Sequence, residues 1–114
     1  RVKSMLFDYF NGKRVSFDEI VVDIQSVGNF QKMVWRVLRE IPYGNTVSYR
    51  WVAEQIGRPL AFRAVGMACG RNPVPIIIPC HRVIGSNGDL RGFSAGVNIK
   101  RRLLEIEGIE TMSN

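Results

Sequence analysis

From Phe30 onward the apolar residues return at helical spacing. Phe30, Met33, Val34, Val37, Leu38 and Ile41 stand at i, i+3, i+4, i+7, i+8 and i+11, which puts them on one face of a helix. Asn29 is placed to cap that helix, and Pro42-Tyr43-Gly44 stops it. Ser48 is placed to cap a second helix in which Tyr49, Val52, Ala53 and Ile56 share a face, and Gly57-Arg58-Pro59 turns the chain into a third over residues 60–70. Helix, tight glycine turn, helix is a helix-turn-helix pattern. Beyond it, Arg82-Val83-Ile84 and the turn Gly85-Ser86-Asn87-Gly88 read as a hairpin, the wing of a winged-helix arrangement. A final helix over residues 97–107 carries Ile99, Leu103, Leu104 and Ile106 inward, with Glu107 at the edge of that stripe and Glu105 opposite. The expected class is mostly α: a winged helix-turn-helix-like domain with a short β hairpin over residues 29–114.

Ahead of this domain, residues 2–10 read as a short helix ended by Asn11-Gly12. Residues 13–26 follow as an extended, partly alternating linker with Val15, Phe17, Ile20, Val22 and Ile24. Residues 1–28 thus form a helix and linker joined to the main domain.

Composition narrows the partners. The 114 residues suit one domain with a modest core, and 16 Lys and Arg against 10 Asp and Glu give a net charge of +6, which favours an anionic partner such as nucleic acid. No apolar run approaches the ~18 residues of a membrane span, and the N-terminus lacks the apolar core of a signal peptide. The expected address is cytoplasmic, or nuclear in a eukaryote, with no membrane partner. The two cysteines, Cys69 and Cys80, are too few for a secreted disulfide scaffold and, with one histidine, too few for an ordinary four-ligand zinc site. No metal is expected.

The third helix is unusual for a reader of base edges. Ala61, Phe62, Val65, Ala68 and Cys69 fall inward, whereas Arg63, Ala64, Met67, Gly70 and Arg71 fall outward. That outer face carries small residues and arginines, which suits phosphates and a minor groove better than the major groove. A tightly packed Ala/Gly helix with no partner is the competing reading. The chemistry lies further on, in Asn72-Pro73-Val74-Pro75-Ile76-Ile77-Ile78-Pro79-Cys80-His81-Arg82-Val83. Its three prolines favour extended backbone before them, so residues 76–78 are expected as a short buried strand delivering Cys80 at its mouth. A thiol attacks only as thiolate, and the single histidine, His81, is the available base.

The ramp Asn-Pro-x-Pro followed by Pro-Cys-His-Arg-Val resembles the signature of the O6-alkylguanine-DNA alkyltransferases, and the resemblance runs over residues 30–108. It implies DNA repair by a suicide reaction: the alkyl group of O6-alkylguanine, and in some cases O4-alkylthymine, moves once to Cys80 without a cofactor. It implies that Glu107 orients His81, which takes the Cys80 proton through a water. It also implies that the hydroxyl of Tyr49, in the similar segment Val47-Ser48-Tyr49, donates to the guanine ring. Periodicity alone leaves Tyr49 a core aromatic and Glu107 a solvated helix end. In the flank Arg63-Ala64-Val65-Gly66, Arg63 matches the arginine finger that fills the space of an extruded nucleotide; otherwise it reads as a phosphate contact. Ser94, in the loop Gly92-Phe93-Ser94-Ala95-Gly96, matches the residue that hydrogen-bonds O6. Where the family often has tyrosine and glycine, this chain has Phe93 and Ala95, so a hydroxyl is lost and a slightly tighter pocket is expected. Arg63, Ser94, Asn72, Ala64, Met67, Arg71 and Ser48 are the expected DNA or substrate contacts, on duplex DNA met through the minor groove by a monomer.

Alkyltransferases usually carry an α/β domain ahead of the active-site domain. Residues 1–28 match only its last helix and the linker, as a fragment or a shortened member would. The alternative function is a lesion-binding module that flips alkylated bases without transfer, as alkyltransferase-like proteins do. Those resemble the family with tryptophan in the cysteine position, and Cys80 argues against that reading. Cys69 reads as packing, or as a lining residue of the pocket.

Overall fold

A computed structural model describes residues 1–22, 28–90, 93 and 96–110. In chain order it contains α1 (Val2–Phe10), α2 (Asn29–Arg39), β1 (Val47–Ser48), α3 (Tyr49–Gln55), α4 (Phe62–Gly70), a 3₁₀ turn (Cys80–Arg82), β2 (Val83–Ile84) and α5 (Val97–Ile106). The mostly helical, winged helix-turn-helix-like class expected from the sequence is the class observed. Among the described residues no helix is long and apolar enough to cross a membrane.

The core forms where the apolar faces of α2, α3 and α4 meet. Val34, Trp35 and Leu38 of α2, Val52 and Ala53 of α3, and Val65, Ala68 and Cys69 of α4 are all buried. Ala53 and Ala68 let the helices approach closely, and the Trp35 indole N–H donates to the Ala68 carbonyl at 3.2 Å, so burial of that large ring leaves no polar atom unpaired. Ser48 caps α3 as the sequence suggests, its hydroxyl accepting from Trp51 N at 2.9 Å. Gly57, at φ 76, makes the left-handed turn between α3 and α4.

Several local expectations change. Gly28, not Asn29, occupies the cap of α2; its extended backbone precedes the first turn, and Asn29 is already helical. Helix α4 begins at Phe62 rather than at residue 60, because Ala61 N bonds Arg58 O and closes a turn there first. Ile99 is 51% exposed, and Lys100 takes the inward position instead, on one stripe with Leu103, Leu104 and Glu107. Strand β2 pairs in parallel with β1, Val47 opposite Val83, rather than with a returning hairpin strand. Residues 85–89 still close a turn, with Gly85 N donating to Asp89 O at 2.7 Å.

The linker packs against the domain. Phe17 is buried, Val15, Ile20 and Val22 are partly buried, and the Arg39 guanidinium donates to Phe17 O and Ile20 O at 2.7 and 2.8 Å. Ile24 lies outside the described residues. Helix α1 spans the expected residues and buries Tyr9 completely.

Candidate active site

Residues 72–80 form a compact turn rather than the expected strand. Ile78 N donates to Val74 O at 3.0 Å, and Ile76 adopts φ 77, a left-handed conformation that a β-branched residue rarely takes. Asn72 holds this turn closed. Its side-chain oxygen accepts from Val74 N at 2.9 Å, and its amide donates to Ile78 O at 2.6 Å and to Cys80 Sγ at 3.1 Å. The prolines of the ramp do restrict the backbone, but Asn72 supplies the partners that bend it, and these replace a sheet ladder. Asn72 is itself buried and holds the sulfur from within the turn.

Cys80 opens the 3₁₀ turn, is itself buried, and is followed by His81 and Arg82, also buried. Burial pushes the Cys80 thiol pKa up, opposed by the Asn72 hydrogen bond and the positive charge of Lys100. The sulfur is therefore a protected thiol with thiolate-favouring partners. Cys69, buried nearby on α4, is pushed up to about 12 by burial and then by Cys80, opposed by Lys100, and has the character of a packing residue.

His81 faces Glu107, which follows α5 as its C-cap, and the Nε2 to Oε2 distance is 2.6 Å. The carboxylate is saturated with donors. Oε2 also accepts from Tyr9 Oη at 2.6 Å and Arg82 Nη2 at 3.1 Å, while Oε1 accepts from Arg82 Nε at 2.9 Å and Gly44 N at 3.0 Å. Gly44 reaches it from a turn at φ 85. Burial alone would raise the Glu107 pKa, but the bonds from His81, Arg82, Tyr9 and Gly44 outweigh it and hold the pKa at about 2. An ionised carboxylate only accepts, so the hydrogen between the two residues sits on His81 Nε2. Arg82 supplies the countercharge to Glu107, and burial lowers the His81 pKa despite Glu107, so the imidazole is neutral. Its other nitrogen, Nδ1, is buried with no hydrogen-bond partner among the described residues, and is the one that can accept a proton.

Tyr49, at the start of α3, lies against Gly66 of α4, and its hydroxyl accepts from Lys100 Nζ at 3.3 Å. Burial raises the Tyr49 pKa, as do the nearby Cys69, Cys80 and Asp89, so the phenol keeps its proton. Lys100 is fully buried. Burial lowers its pKa to about 8, against the raising effect of Cys69, Cys80 and Asp89. A groove of about 440 Å³ lies beside Tyr49, with Phe62, Arg63, Gly66, Gly85, Asn87 and Asp89 in its walls. Arg63, Ala64, Met67 and Arg71 are exposed along α4, whereas Ser48 is half-buried and engaged as the α3 cap. Ser94 lies outside the described residues.

The sequence thus leads to Cys80, His81, Glu107 and Tyr49, and the structure brings the first three into one buried cluster. Tyr9, Arg82 and Lys100 did not stand out. Lys100 was legible as the i−7, i−4 and i−3 partner of Glu107, Leu104 and Leu103, and Tyr9 shares a face of α1 with Val2, Met5 and Leu6.

Comparison with known proteins fits this geometry. The family model for "6-O-methylguanine DNA methyltransferase, DNA binding domain" matches residues 29–109. A methylated-DNA--protein-cysteine methyltransferase from Methanosarcina barkeri is 54% identical over 100 residues, covering 87% of this chain and 61% of that protein. The crystal structure of the Mycobacterium tuberculosis O6-methylguanine methyltransferase superposes with a TM-score of 0.85 at 49% identity, covering 93% of this chain and 63% of that one. The M. tuberculosis protein in complex with DNA superposes at 0.84 with 48% identity, covering 94% of this chain and 64% of that one. This chain spans a little over three-fifths of the length of these relatives. The chain belongs to the 6-O-methylguanine DNA methyltransferase family.

Proposed function

We propose that this protein repairs DNA by taking the alkyl group of O6-alkylguanine onto Cys80 in one turnover. The observation that carries this reading is the arrangement around the sulfur: Asn72 on Sγ, and a neutral His81 whose Nε2–H is held by an ionised Glu107. His81 Nδ1 takes the Cys80 proton through an intervening water. The sulfur then attacks the alkyl carbon in line, the carbon–O6 bond breaks, and its electron pair leaves with guanine. Tyr49, which keeps its proton and accepts from Lys100, donates toward the guanine ring and stabilises the charge that develops there. The product is a thioether. No group around Cys80 among the described residues activates that poor leaving group, so the reaction stops after one event.

Recognition is assigned to the exposed face of α4. Its small Ala64 and half-buried Gly66 allow close approach of a duplex, and Arg71 contacts phosphate in a minor-groove approach. Arg63, at the rim of the groove beside Tyr49, occupies the gap left by the flipped nucleotide. A solved relative is in complex with DNA, which supports DNA as the partner. The protein acts as a monomer in this scheme, because one copy carries every group it uses.

Cys80→Ser separates chemistry from recognition, since a serine hydroxyl is similar in size and a far weaker nucleophile near neutral pH. The variant is expected to transfer nothing yet retard O6-methylguanine duplex in a gel at least as strongly as the alkylated native protein does. Methyl transfer by Cys80→Ser would move the nucleophile elsewhere and overturn the reading.

A further inference from the structure

Tyr9 is the largest group at the His81–Glu107 pair that the proposed reaction does not use. It comes from α1, ahead of residues 29–109 that match the family's DNA-binding domain. It is 0% exposed, with its ring edge-on to His81 at 6.4 Å between centroids. Its hydroxyl stands 2.6 Å from Glu107 Oε2 and 3.3 Å from His81 Nε2, the two atoms that share the imidazole hydrogen. The other acceptor in reach, Leu103 O, is at 3.5 Å, so the phenolic hydrogen is directed at the carboxylate. Burial, and then Glu107, raise the Tyr9 pKa, so the hydroxyl stays protonated and remains a donor.

We propose that Tyr9 is a positioning residue for the His81 base, and that α1 and its linker therefore take part in the chemistry as well as in packing. This inference rests on the alkyl-transfer reading above. The hydroxyl competes with His81 Nε2–H for one carboxylate oxygen, which sets how strongly Glu107 pulls on the imidazole and holds Oε2 in line with Nε2. The other charged and titratable groups facing this cluster are Arg82 on both carboxylate oxygens, Tyr43 packed on Tyr9, and Lys100 acting on His81. None of them replaces the phenolic donor, because each Arg82 nitrogen already donates to Glu107 or Ile41 O, and the Tyr43 hydroxyl bonds Ile106 O.

Tyr9→Phe removes one atom and keeps the ring. Without the competing donor, Glu107 pulls harder on Nε2–H, imidazolium is favoured, and His81 should titrate at higher pH by about half a unit or more. Because His81 is the only histidine, nitrogen-15 NMR of the imidazole reads this directly in the unreacted protein. The acid limb of alkyl transfer from free O6-benzylguanine should move the same way, with a loss of about three-fold or more in rate on that limb. Phe17→Leu, which loosens packing on the Tyr9 ring without touching a polar atom, should lower thermal stability and leave both titrations in place. Tyr9→Met, which fills the space without a hydroxyl, should repeat the shift and serves if the phenylalanine variant is hard to fold. An unmoved His81 titration with a rate within about two-fold of the parent would overturn the inference. If the parent takes no alkyl group at all, the reaction assignment fails instead, while the NMR titration still decides the role of Tyr9.

Discussion

Glu107→Gln tests the electrostatic centre of the site through stability as well as rate. The surrounding donors hold the Glu107 pKa at about 2 against an ordinary 4.5, and its side chain is fully buried. At about 1.4 kcal/mol per unit, the ionised carboxylate contributes roughly 3 kcal/mol to folding at neutral pH. The sign follows from the depression. The contribution is complete above pH 4.5 and disappears as the pH falls through 2. Glutamine keeps the shape but leaves the buried Arg82 guanidinium without its countercharge, a change that costs about 3–5 kcal/mol in comparable pairs. Urea unfolding at neutral pH should therefore show a loss of about 3 kcal/mol or more. Repeated across acid pH, the gap between parent and variant should narrow by about the same amount, because the other carboxylates are common to both chains. A neutral-pH loss under about 1 kcal/mol, or parallel pH dependences, would refute the assignment of Glu107 as the ionised partner of Arg82 and His81.

Asn72→Ala should slow transfer from duplex and free base alike, because it removes a hydrogen bond to Sγ, and should cost about 1–3 kcal/mol by removing the bonds to Val74 N and Ile78 O that close the turn; stopped-flow transfer and thermal melts read both. Arg63→Ala should slow repair of duplex by about ten-fold or more while sparing free O6-benzylguanine, since only the duplex reaction includes base extrusion; equal losses would make Arg63 a general structural residue. Lys100, held at about 8 by burial, loses its proton before the unfolded chain does, so it adds stability as pH rises from 8 to 10.5. Lys100→Met should remove that rise, roughly 3 kcal/mol, in denaturant titrations compared across this range, and an unchanged profile would contradict the burial of a charged amine there.

What the sequence reveals divides by range. Helix α1 ends where Asn11-Gly12 places it, and the Ser48 cap and the split of α4 into buried Val65, Ala68 and Cys69 against exposed Arg63, Ala64 and Met67 follow from spacing alone. These are local decisions made within one or two helical turns. The errors arise where a distant or side-chain partner decides. Asn72 folds residues 74–78 into a turn that proline content reads as a strand, and β2 takes β1 as its neighbour across 36 residues of chain. The Glu107 carboxylate collects Tyr9 from 98 residues away and Gly44 from 63. No periodicity carries that information, and Lys100 was hidden by the ordinary assumption that a lysine on an apolar stripe reaches solvent.

The central claim is that Cys80 accepts one alkyl group and keeps it. Intact-protein mass after incubation with excess O6-methylguanine duplex measures this directly. The account predicts a gain of about 14 Da that saturates at one group per protein and maps to the peptide containing Cys80. No gain, a gain carried by Cys69, or continued demethylation beyond one equivalent would contradict it.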